Sequence, residues 1–111
     1  MLADHTSAPI ATLHFDSPEL PAALATADLV VNATSLGLHE GDPMPISPDW
    51  LSPGQMVYDI VTHDTALRRA AAARGCTAAT GLGMLLWQGA IAFEHWFGRT
   101  PDVAAMRQGL A

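Results

Sequence analysis

Apolar residues fall along this chain in short unbroken runs separated by stretches with a helical period. Residues 29–31, "LVV", and 56–61, "MVYDIV", are continuous runs of strand length. Runs of that kind are expected of strands covered on both faces, as alternating ones are not. "CTAAT" at 76–80 reads as a third, weaker strand, and "ATLHF" at 11–15 as a fourth, being loosely alternating and rich in β-formers. Helical segments stand between and after them. "SPELPAALATA" starts at Ser17 as N-cap with Pro18 in the first turn, and "DTALRRAAAARG" starts at Asp64 and stops at Gly75. A long apolar helix spans 82–97 and ends at Gly98, and "TPDVAAMRQGL" forms a last helix capped by Thr100. The Gly- and Pro-dense stretch 36–55 is loop, with one helical turn at 47–51.

Strands alternating with helices imply right-handed crossovers and a parallel sheet in an α/β fold. Ligands of such sheets bind beyond the carboxyl ends of the strands. Three strand ends here carry small or polar residues, "NATSLG", "DIVTHD" and "ATGLG", and all three point to one site. Gly81, Met84 and Gln88 share a face of the long helix just past the last of these ends. An amide there either satisfies a buried backbone group or reaches a ligand.

Candidate chemistry at these ends is weighed against plain structure. Gly81-Leu82-Gly83 looks like the start of a dinucleotide fingerprint, but Leu86 stands where the third glycine belongs. Asn32, Thr34 and Ser35 offer an amide and two hydroxyls, either for a ligand or for a local Asx or Ser/Thr turn. Asp59, inside an apolar strand, must be paired or hydrogen-bonded and is expected to be structural. His63 and Asp64 lack a second His or Cys at ligand spacing, so no metal site is expected. Glu94-His95-Trp96 reads as a solvated helix edge.

Composition narrows the classes. The 111 residues form one domain, half hydrophobic and 14% charged, with a formal net charge of −6. That balance argues against nucleic acid or an anionic membrane as partner. There is no lysine, which excludes a lysine base or Schiff base within the chain, and the lone Cys76 suits a reducing, cytoplasmic setting. No run is long and apolar enough to span a bilayer, and the start resembles no signal peptide.

Taken together, "VVNATSLGL", "VYDIV" and "GLGMLLWQGAIAFEHWFG" resemble the C-terminal half of shikimate dehydrogenases, over about residues 18–110, with the C-terminal region of that family at about 78–111. The resemblance implies a partial Rossmann-like parallel sheet of about four strands, with flanking helices and a C-terminal helical pair. It implies NADP as cofactor, lined by Asn32, Thr34, Ser35, Ile60, Gly81 and Met84. It places a shikimate- or quinate-like substrate at Gln88, with Thr62 where the family usually has a substrate-holding Tyr. The implied reaction is NADPH-dependent reduction of 3-dehydroshikimate in aromatic amino-acid biosynthesis. The family's catalytic Lys–Asp pair, glycine-rich loop and Asn-Arg-Thr segment have no counterpart in these residues, so the chain alone is expected to be inactive. In the sheet order 3-2-1-4-5-6, 11–15 would be strand 3 and 29–34 strand 4. Strand 4 then either pairs directly with 11–15 or self-associates through an open edge. Two other readings are a non-catalytic α/β module completing a dinucleotide-binding sheet in trans, and a phosphate-binding domain of flavodoxin-like topology.

Overall fold

A computed structural model describes residues 2–110. Its elements in chain order are α1 (Leu20–Ala25), β1 (Leu29–Asn32), β2 (Met56–Asp59), α2 (Ala66–Ala73), β3 (Thr77–Thr80), α3 (Leu82–Phe97) and α4 (Val103–Leu110), with short 3-10 turns at Leu2–His5 and Pro48–Trp50. The strands form one parallel sheet in the order β1-β2-β3. The α/β class and the parallel sheet are as expected from the sequence. The sheet has three strands rather than about four.

The missing strand is 11–15, which adopts no regular structure and stays exposed. β-propensity forms a strand only against a hydrogen-bonding neighbour, and this segment makes no ladder with β1. Direct pairing of 11–15 with β1 is thereby corrected. Leu13 and Phe15 instead line a cavity of about 160 Å³ beside Val30 and Val31.

The sheet is also covered on one face only, against the expectation from its unbroken apolar runs. β1 alternates, with Val30 and Asn32 buried and Leu29 and Val31 exposed, and β2 buries Val57 and Asp59 while Met56 is exposed. α2 covers the buried face. Leu67 and Ala71 from α2 join Val30, Leu51, Val57 and Cys76 in the core. α3 packs on α4 instead of across the open face.

Helix ends follow local chemistry, with starts displaced by a residue or two from the expected caps. Gly75 and Gly98 stop α2 and α3 at φ +88° and +64°, values an L side chain rarely adopts. α2 is capped by Thr65, whose Oγ1 accepts from Arg68 N–H, and not by Asp64, which pairs with Arg68 and Arg69 side chains. At α4 the Asp102 carboxylate accepts from Ala105 N–H in place of Thr100. Ser17 accepts from Glu19 N–H one turn ahead of α1, so the helix begins at Leu20. The helical turn expected at 47–51 is present, capped by Ser47. At the amino edge of the sheet, buried Gln55 donates to Leu24 O and Ala27 O, both at 2.7 Å, tying α1 to β2.

Candidate functional site

Register brings the three strand ends level. Asn32 pairs with Asp59, and Asp59 with Thr80. The turns that follow are stitched together by backbone bonds, Ile60 N–H to Asn32 O at 3.1 Å and Gly81 N–H to Val61 O at 2.9 Å. Gly81 sits so close to the neighbouring turn that a methyl group there would overlap the Ile60 carbonyl. Its φ of −71° suits any residue, so the need for glycine is one of space.

Behind this rim lies a polar hub. Asp59 is fully buried. Its Oδ1 accepts from Asn32 Nδ2 and Val61 N–H, both at 3.1 Å, and its Oδ2 accepts from Thr65 Oγ1 at 2.7 Å. The structural role expected of Asp59 is what these bonds describe. Asn32 in turn receives Thr34 N–H at 3.0 Å and Thr34 Oγ1 at 2.7 Å on its own oxygen, while Thr34 Oγ1 accepts from Leu36 N–H. The "NATS" segment is therefore an Asx and Thr turn fastened to the sheet, with Thr34 half-buried and Ser35 exposed at its surface.

Other expected site residues distribute around the rim. Asn32 and Thr34 reach the 160 Å³ cavity. Thr62 lines an open hollow of about 390 Å³ with Thr80 and Leu82. Ile60 is half-buried against Gly81. Met84 is exposed on α3, and so is Gln88, whose Nε2 donates to Leu85 O of its own helix at 3.1 Å. Within the structure Gln88 thus serves a carbonyl of its own helix rather than the 32–35 or the 60–62 turn.

A third hollow, of about 470 Å³, lies between the 37–42 loop and residues 63–66 and 69. Asp42 shapes that loop by accepting from Gly37 N–H at 3.1 Å and His39 N–H at 3.0 Å, and these bonds, that from His39 first, hold its carboxyl below its ordinary value. Asp64 is lowered as well, chiefly by the Arg68 side-chain hydrogen bond. Among the described residues no group of three or more His, Cys, Asp or Glu is placed to hold a metal ion, and no helix is long and apolar enough to cross a membrane. Thr65 and Asp42 escaped the sequence reading. Thr65 had a signal, a cap-type residue six positions after a buried carboxylate in need of donors.

Comparison with known proteins adds the relatives. Residues 81–110 match the family model of the shikimate 5'-dehydrogenase C-terminal domain. An NADP(+) shikimate dehydrogenase of Moorella thermoacetica is 49% identical over 83 residues, 72% of this chain and 28% of that protein. One from Halobacterium salinarum is 42% identical over 110 residues, 97% of this chain and 41% of the relative. A shikimate 5-dehydrogenase of Listeria monocytogenes, solved in complex with shikimate and NAD, superposes with a TM-score of 0.77 at 36% identity, covering 86% of this chain and 35% of its own. The chain thus spans well under half the length of these relatives.

Proposed function

We propose that this chain, which corresponds to the C-terminal portion of shikimate dehydrogenases, forms the nicotinamide side of an NADP-dependent oxidoreductase site acting on 3-dehydroshikimate and shikimate. The level strand ends, closed on one another with Gly81 against Ile60, are the observation that carries the reading. The residues fit one end of the cofactor. Thr34 and Ser35 offer hydroxyls and Ile60 an apolar surface, with Gly81 packed against the Ile60 turn and Met84 exposed on α3. They do not fit the pyrophosphate, because Leu86 replaces the third glycine of the fingerprint. NADPH, when bound, supplies the hydride. Gln88 would turn from Leu85 O to the substrate hydroxyls, and Thr62 would border the same substrate, shikimate- or quinate-like.

No lysine is present to move a proton, so the 111 residues alone are expected to show no turnover of shikimate with NADP+. The test of the site is a ¹H–¹⁵N titration of the chain with NADP+. Shifts at residues 34, 35, 60, 81 and 84 support the reading, and shifts confined to α4 would overturn it.

A second reading, a module that completes a sheet in trans, is favoured by the open β1 edge. Met56 N–H bonds Asp28 O and Ile60 N–H bonds Asn32 O, so Leu29 and Val31 turn their peptide groups outward, away from β2. The same edge would support self-association. The buried, unpaired Cys76 suits a reducing, cytoplasmic setting for either form.

A further inference from the structure

The cavity of about 160 Å³ beside β1 shares only Thr34 with the site as proposed. Its walls are Leu20 and Leu24 of α1, Val30 of β1, Ile46 and Leu67, and among the described residues no charged side chain lines it. Two polar side chains reach it, Asn32 and Thr34, and both spend their hydrogens locally. Asn32 Nδ2 donates to Asp59 Oδ1 and Leu36 O, and the Thr34 hydroxyl donates to Asn32 Oδ1 at 2.7 Å. An incoming molecule therefore meets apolar wall and no side-chain proton. A charged group would lose its water there without replacement.

Volume narrows the occupant further. Pockets for drug-sized ligands start at roughly 300 Å³, so a nucleotide does not fit within the cavity. One six-membered ring does: an engineered apolar cavity of about 150 Å³ takes up benzene and stays free of water. An entry route is also present. Leu13 and Phe15 line one side of the cavity from the 11–15 segment, which adopts no regular structure and leaves both side chains partly exposed. A cover held outside any hydrogen-bonded ladder can part at small cost. We propose that this cavity is a second binding site, for a single uncharged aromatic ring, separate from the strand-end rim.

The probe is benzene, titrated into the ¹³C-methyl-labelled chain at a concentration low enough to keep the protein monomeric. Ring-current shifts of the Leu24, Val30 and Leu67 methyls are expected to saturate, with half-saturation on the order of 1 mM. The Ile91 methyls on α3, more than half exposed, should stay in place and serve as the control for adsorption to apolar surface. Benzoate and benzylammonium carry the same ring with opposite charges. Both are expected to bind at least about tenfold more weakly than benzene, and using both signs separates this effect from the net charge of −6.

Absence of a saturable shift at Leu24, Val30 and Leu67 overturns the inference. An equal response of the Ile91 methyls overturns it as well, as does benzylammonium binding as tightly as benzene. Methyl shifts that follow protein concentration and that benzene does not alter would assign the place to a second copy of the chain, against this inference. Each of these results leaves the nicotinamide-side reading standing, since that rests on residues 34, 35, 60, 81 and 84.

Discussion

Gly81 shows how much one missing side chain can decide. A Cβ there meets the Ile60 carbonyl, a backbone group that cannot swing aside. Gly81→Ala is expected to lower stability by about 2 kcal/mol, the scale of overpacking at a tight contact, read by urea denaturation. Gly83→Ala, with open space around its Cβ position, should not destabilise and serves as the control. Asp42 gives a prediction in pH. Its carboxyl is held down by the His39 and Gly37 amides, so the bonds are in force above the unfolded carboxyl value and are lost as pH falls through the lower folded one. The protection factors of the Gly37 and His39 amides, their exchange rates taken relative to the intrinsic rate at each pH, should fall below about pH 4 and be unchanged between neutral pH and pH 6. Residue-level reading of the sequence succeeded where the backbone dictates the outcome. Asp59, expected to be structural, had to find donors once buried, and did. It could not foresee the rotamer of Gln88, because on an exposed helix face a nearby carbonyl of the same helix, here Leu85 O, decides it.

Helix stops were legible in this chain and helix starts were not, for a physical reason. A glycine at positive φ is a strong local signal, and Gly98 sits one residue and Gly75 two residues past the end of their helices. Starts offer several cap-type residues in succession: Asp64 before Thr65, Thr100 before Asp102. Tertiary structure chooses between them. Asp59 accepts the Thr65 hydroxyl proton and so fixes its oxygen toward Arg68 N–H, leaving Asp64 to the arginine side chains. Thr65→Ala should therefore cost about 2 kcal/mol, a cap plus one buried hydrogen bond. Asp64→Ala should change stability little, since exposed ion pairs contribute little. Paired denaturation curves distinguish the two. The strand expected at 11–15 fails for a reason of the same order, since a strand is a relation between two segments and cannot be read from one.

The molecule as a whole is more open than its length requires. A compact domain of this size has a radius of gyration of about 13 Å, against 16.6 Å here. A monomer of 11.7 kDa exposes about 5,900 Å², against 7698 Å². The excess has an address. Leu29, Val31 and Met56 stand on the uncovered face of the sheet, and Trp87, Ile91, Trp96 and Phe97 on α3 are each more than half exposed. Parallel sheets are stable with both faces covered, so this face and the free β1 edge invite cover, from a second copy or from a module completing the sheet. The purified chain is expected to self-associate with rising concentration in sedimentation velocity and to bind hydrophobic dye. Val31→Lys puts a charge on the open face beside that edge, at a position half exposed already. It should reduce association and leave the unfolding midpoint of the dilute monomer nearly unchanged. A chain that stays monomeric at every concentration with little dye bound would show that the open face is tolerated by the isolated fold. Association that persists undiminished in Val31→Lys would move the contact to the apolar surface of α3.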